Sequence, residues 1–253
     1  MTTTPAHRTA QAAASAGSDA ADSSLPVALV TGATGGIGWC VAEDLARDHR
    51  VIAVGRDQRR LAELESLSPR IQTVSADLLD FAALPELVDG LGRLDVLVHA
   101  AAVAHRVAFA DARPEDWRLQ LELNVMVPAE LTRAALPLLR ASRGTVVLIN
   151  SGAGFNASGG NAIYAASKFA LRALGDALRQ EVEPDGIRVA SVHPGPVDTQ
   201  MLRGIYASMD KPYQAEEYIR PESVAQAVRT VVEAGQDVQI TTVSVRPRVE
   251  QKG

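Results

Sequence analysis

The chain has one cysteine, Cys40, in 253 residues, so no intrachain disulfide can form and paired-cysteine metal or redox motifs are excluded. Cys40 lies in GWCVAEDLA on an apparent helix face and reads as a small, inert core thiol. Aromatic residues are scarce, at 4%, which leaves Ala, Val and Leu to fill the interior. No long basic run accompanies the net charge of −5, so nothing advertises a surface for nucleic acid or anionic membrane, and a small molecule is the expected partner. No run approaches 18 apolar residues, the length a membrane-spanning helix needs. Residues 1–24 are rich in Ala, Ser and Thr, carry Asp19 and Asp22, and lack the apolar core of a signal peptide; they read as a disordered leader. With so little cysteine, a reducing cytoplasm is the expected compartment. No histidine-rich cluster suggests a metal.

What is present is alternation. Short β-branched runs, at 26–30, 51–54, 71–76, 94–100, 145–150, 188–194 and 239–245, are separated by segments of helical period at 37–48, 57–66, 81–91, 115–141, 162–183 and 222–234. Several runs are apolar at nearly every position, as strands covered on both faces must be. The pattern predicts an α/β doubly wound Rossmann fold over residues 25–253: one domain, with a seven-stranded, mainly parallel sheet and helices on both faces. Residues 196–220 have no clear period and hold Tyr206, Tyr213 and Tyr218; they read as a lid over a site or as a plain surface connection.

After the first run comes TGATGGIG, residues 31–38, followed at once by amphipathic helix. Gly32, Gly36 and Gly38 allow a tight turn with the backbone close to a pyrophosphate, and the helix start offers free N–H groups. Thr34 and Ile37 share that turn and are candidate contacts. The second run closes as VIAVGRD, where an NAD-binding fold commonly has an acidic residue for the ribose hydroxyls. Gly55 cannot make that contact, and the Arg56 guanidinium suits a 2′-phosphate, so NADP(H) is favoured over NAD(H). Asp57 is either a competing ribose ligand or the N-cap of the next helix.

Residues 164–168 read YAASK. With four tyrosines and three lysines in the chain, a chance pair at this spacing has an expectation of about 0.05. Tyr164 and Lys168 at i, i+4 share a helix face, and a neighbouring ammonium favours the phenolate that proton transfer near neutrality would use.

Together TGATGGIG and YAASK resemble the short-chain dehydrogenase/reductase family in its single-domain branch, over residues 26 to about 200. The resemblance implies hydride transfer between nicotinamide and a small carbonyl or secondary alcohol substrate, with Tyr164 as general acid or base. Lys168 would hold the nicotinamide ribose, and Ser151, thirteen positions before the tyrosine, would orient the reacting oxygen. Asn124 in ELNVMVP matches an asparagine thought to hold a water linking the lysine to solvent. HPGPVDT, residues 193–199, resembles the family's PGxxxT segment, so Pro194 and Gly195 would shape the turn, the Val197 backbone would meet the carboxamide and Thr199 would add a hydroxyl. Asp77 matches the residue that meets the adenine, although a loop aspartate is also an ordinary cap. Family members commonly pair through the helices at 115–141 and 162–183, so a homodimer or homotetramer is expected. One segment departs: His99, Ala100, Ala101 and Ala102 stand where the family usually has NNAG. That departure keeps a second reading open, a catalytically silent NADP-binding sensor or scaffold.

Overall fold

The computed structural model describes residues 24–249. The proposed leader, apart from Ser24, lies outside the described residues. Among these residues seven strands form one sheet: β1 (Val27–Thr31), β2 (Arg50–Gly55), β3 (Ile71–Ser75), β4 (Val96–His99), β5 (Thr145–Ile149), β6 (Arg188–Pro194) and β7 (Thr242–Val245). Their order is β3-β2-β1-β4-β5-β6-β7, and every neighbouring pair is parallel. This is the doubly wound fold the alternation predicts. The chain steps from β3 at one edge across to β4 beside β1, which opens a crevice above the strand ends at that reversal.

The near-continuous apolar runs are explained by the period of the pleat. Val27 and Leu29 of β1 enter one core with Ile52, Val54, Leu97 and Leu131. Ala28 and Val30 point the other way and pack with Val51, Ala53, Val41 and Val228. Helices α1 (Gly36–Leu45), α2 (Gln58–Glu65), α3 (Pro114–Leu121), α4 (Val127–Ser142), α5 (Ala162–Val182), α6 (Gln200–Ser208) and α7 (Pro221–Val232) connect the strands. α1 and α7 are further tied by Arg229, whose Nε donates to Asp44 at 2.5 Å and whose Nη1 donates to Asp48 at 2.8 Å.

Four expectations are corrected. Residues 81–91 do not form an α-helix; only Pro85–Leu87 make a 3₁₀ turn, because Pro85 removes a donor and Gly90 adopts a φ of +80°. The long helix at 115–141 is interrupted by a π-helical turn, Glu122–Met126, between α3 and α4. The segment 196–220, read as having no period, contains α6, which Thr199 caps by accepting from the Leu202 N–H at 3.3 Å. That hydroxyl three residues ahead of its partner was the available signal. The last strand also starts later than 239, at Thr242.

Candidate active site

The glycine-rich turn sits at the carboxyl end of β1. Thr31 Oγ1 accepts from the N–H groups of Ala100 and Ala101 at 3.2 and 3.3 Å, pinning β1 to the chain leaving β4. Gly32 follows at φ +68°, so close to that chain that a Cβ would lie 2.6 Å from the Ala101 nitrogen. Gly38 faces it across the turn, where a Cβ would meet the Gly32 carbonyl oxygen at 2.3 Å. No side chain caps α1 at Gly35, so its first N–H groups face the groove and can take an anion. The groove, about 590 Å³, runs from Gly32 and Thr34 past Arg56 and Asp77.

At its far end Asp57 accepts from the Arg60 N–H at 3.1 Å, so the carboxylate caps α2. Asp77 likewise accepts from the Leu79 N–H at 3.1 Å and remains exposed beside the groove. Arg56 is exposed at the same rim. A second guanidinium that reading along the chain passed over, Arg60, lies 4.3 Å over the Trp39 ring, and its Nε is buried without a hydrogen-bond partner among the described residues. The basic run QRR was its only sequence signal.

The residues expected to do chemistry come from the ends of β5 and the start of α5. Ser151, half-buried, accepts from the Ala153 N–H at 3.1 Å, and its hydroxyl opens into the same hollow as that of Tyr164. Tyr164 differs from expectation in its acidity. Burial pushes its pKa up, and the Ser151 side chain offsets this only in part, so the phenol is held neutral. Lys168 is 1% exposed; its Nζ donates to the Ile149 carbonyl at 2.9 Å and stands 5.7 Å from the centre of the Tyr164 ring. Burial brings the lysine down to about 7.

Asn124, 1% exposed, lies in the π-helical turn. Its Nδ2 donates to the Val103 carbonyl at 2.9 Å and to Ser167 Oγ at 3.0 Å, while Oδ1 accepts from the Val103 N–H at 2.9 Å. The side chain is therefore engaged with protein at all three points. His99 turns into the opposite core, where Nε2 meets the Thr132 hydroxyl at 2.9 Å; burial lowers its pKa to about 3 and keeps it neutral. The HAAA replacement thus leaves three alanines along the groove and anchors the strand end by an imidazole.

A second hollow of about 510 Å³ adjoins the groove, sharing Ile37, Thr199 and Met201 with it. Ser151 and Tyr164 open into this hollow, as do Pro194, Gly195 and Val197. Gly195 donates to the Val245 carbonyl at 2.7 Å, and Val197 bridges to Ile219, so the turn after β6 is fixed by backbone. His193 Nδ1 donates to the Ser151 carbonyl at 3.0 Å, a contact not foreseen from sequence. Among the described residues no group of His, Cys, Asp and Glu could hold a metal ion, and no helix is long and apolar enough to cross a membrane.

The chain is similar to known proteins. The family model for short chain dehydrogenase matches residues 26–210. An uncharacterized oxidoreductase of Staphylococcus epidermidis is 30% identical over 228 residues, 87% of this chain and 96% of that protein. The NADP-dependent 3-hydroxy acid dehydrogenase YdfG of Salmonella typhi is 32% identical over 234 residues, 87% and 94% of the two chains. Among solved structures, the closed form of a serine dehydrogenase complexed with NADP+ has a TM-score of 0.78 at 30% identity, over 87% of this chain and 94% of that one. An alcohol dehydrogenase of Thermococcus sibiricus complexed with 5-hydroxy-NADP has a TM-score of 0.80 at 25% identity, over 90% and 99%.

Proposed function

Because the chain belongs to the short-chain dehydrogenase family of oxidoreductases, we propose that it transfers a hydride between NADP(H) and a small carbonyl or secondary alcohol substrate. The observation that carries this reading is the Ser151–Tyr164 hydroxyl pair at the junction of the two hollows, with the Lys168 ammonium buried beside it.

The groove fits a dinucleotide. Gly32, Thr34, Gly36, Ile37, Gly38 and Asp77 line this groove; the glycine-rich turn would hold the pyrophosphate and Asp77 would meet the adenine. Arg56 and Arg60 supply the positive charge a 2′-phosphate needs, while Asp57 is engaged as a cap; both features favour NADP(H) over NAD(H). Lys168 would hold the nicotinamide ribose, with Pro194, Gly195, Val197 and Thr199 around the carboxamide. When bound, the nicotinamide supplies the hydride donor or acceptor.

The protein's own part is proton transfer. A neutral Tyr164 gives its proton to the substrate oxygen in reduction and takes one back in oxidation. Ser151 holds that oxygen by its hydroxyl. Lys168, near 7, is present in both protonation states around neutrality and can return a proton to the site. Since the Asn124 amide is engaged, any relay through that residue runs through its backbone carbonyl. The exposed Met126 and Phe169 lie on the helical face through which subunits of a homodimer or homotetramer would pair.

The test is Tyr164→Phe. Cofactor affinity should hold within about twofold while kcat falls by about 10³. An unchanged kcat with a carbonyl panel would refute the assignment.

A further inference from the structure

The hollow beside Tyr164 is positively lined. Arg106, Lys211 and Arg246 contribute to its wall, and among the described residues no Asp or Glu does. This is the opposite of the molecule as a whole, which carries a net charge of −5. Arg106 comes from the chain after β4 and Lys211 from the stretch after α6, so two separate segments bring cations to one space. Neither forms an ion pair among the described residues. The contact Arg106 makes is from Nη1 to Met209 Sδ at 3.4 Å, a weak acceptor that leaves the charge uncompensated. Arg246 Nη1 lies against the Ser151 turn, close enough that a Cβ on Gly152 would be 2.7 Å from it.

Asp198, the acidic residue just before α6, is turned away from this role. Arg203 grips both its oxygens at 2.8 and 2.9 Å, and the Tyr213 hydroxyl donates to it at 2.7 Å. Asn156, Ser158 and Asn161 add neutral hydrogen-bonding groups to the same hollow. Arg106 and Lys211 are both exposed at the mouth of this hollow; cations of one sign gathered around a concavity raise the local potential, attract anions and make charge-assisted hydrogen bonds stronger than neutral ones.

We infer that the substrate carries an oxyanion group, a carboxylate or a phosphate, which Arg106 and Lys211 hold while the reacting carbon faces Ser151 and Tyr164. The inference rests on the hydride-transfer reading above and specifies its substrate class.

The test compares matched pairs with the full chain and NADPH: 3-oxobutanoate against its methyl ester, and dihydroxyacetone phosphate against dihydroxyacetone. In at least one pair the anion should exceed its neutral partner by about tenfold or more in kcat/KM, and which pair does so identifies the group. Arg106→Ala and Lys211→Ala should each raise KM for the anion by about tenfold, leave kcat and the neutral partner within about twofold, and remove the salt dependence of the preference. Turnover of neutral carbonyls with no anion preference in either pair, or equal losses for both members in the variants, overturns the inference and leaves hydride transfer standing. A wild-type protein that reduces none of the four, and no neutral ketone besides, overturns the hydride-transfer reading and this inference with it.

Discussion

The two hollows that meet at Thr199 are built by different means. The groove over β1 to β4 is shaped by main chain: Thr31 ties two strand ends together, and Gly32 and Gly38 touch neighbouring backbone with no room for a methyl group. The hollow over β5 and β6 is roofed by α6 and the residues after it, and none of the α6 residues is buried. Side chains hold that roof together: the Asp198 clip with Arg203 and Tyr213, and the contacts among the rings of Tyr206, Tyr213 and Tyr218. A segment with few buried apolar contacts opens at lower free energy than the sheet beneath it. The groove proposed for the dinucleotide is thus fixed by buried backbone, whereas the hollow proposed for the substrate is assembled from replaceable side chains, most of them only partly buried.

Substitutions on the two sides should therefore fail differently. The largest effect is expected from Gly38→Ala, whose new methyl must displace the Gly32 carbonyl; it should lower stability by about 2 kcal/mol and weaken NADPH at least about tenfold. Thermal melts and fluorescence titration measure both, and an unperturbed variant would mean the turn is pliable after all. Next, Arg56→Ala and Arg60→Ala should each weaken NADPH by about tenfold while leaving NADH nearly unchanged. Equal weakening of the two cofactors would place the 2′-phosphate elsewhere. On the roof side, Asp198→Ala frees Arg203 and Tyr213 and should raise substrate KM by about threefold, with the cofactor dissociation constant and the melting temperature nearly constant. A loss of cofactor binding there would erase the distinction between the hollows.

The last effect, negligible at neutral pH, concerns acid stability. His99 is held neutral, at about 3, by burial against Thr132, whereas in the unfolded chain it titrates near the ordinary value of 6.5. Between those values the unfolded chain binds a proton that the folded protein does not, so stability is lost as pH falls from about 6.5 toward 3. His193, also lowered by burial, adds to the same slope. His99→Asn should flatten the dependence of melting temperature on pH across that window, and an unaltered slope would assign acid lability to other groups.

Two parts of the candidate site were legible from spacing, and most of the rest came from the family resemblance. Gly32 to Gly38 and Tyr164 with Lys168 are local patterns, one setting a turn and the other a helix face, and both depend on residues within seven positions of each other. Arg60 was not legible, because its place beside the groove depends on where α2 lies against Trp39. The neutral state of Tyr164 was missed for a related reason. The i, i+4 spacing brings Lys168 near the ring, but the depth of α5 behind β5 sets the desolvation that raises the tyrosine, and the ammonium donates to Ile149 instead. The π-helical turn at Asn124 likewise answers to Val103 and Ser167, which are distant in sequence.

The amino-acid order by itself thus determined the alternating sheet architecture, the glycine-rich turn after β1 and the tyrosine–lysine pair, since each follows from periodicity and short-range geometry. Only the tertiary structure decided how acidic that tyrosine is, which arginines reach the cofactor groove, and that Arg106 and Lys211 share one hollow. Those properties depend on burial and on distances between remote segments, and a one-dimensional pattern carries neither.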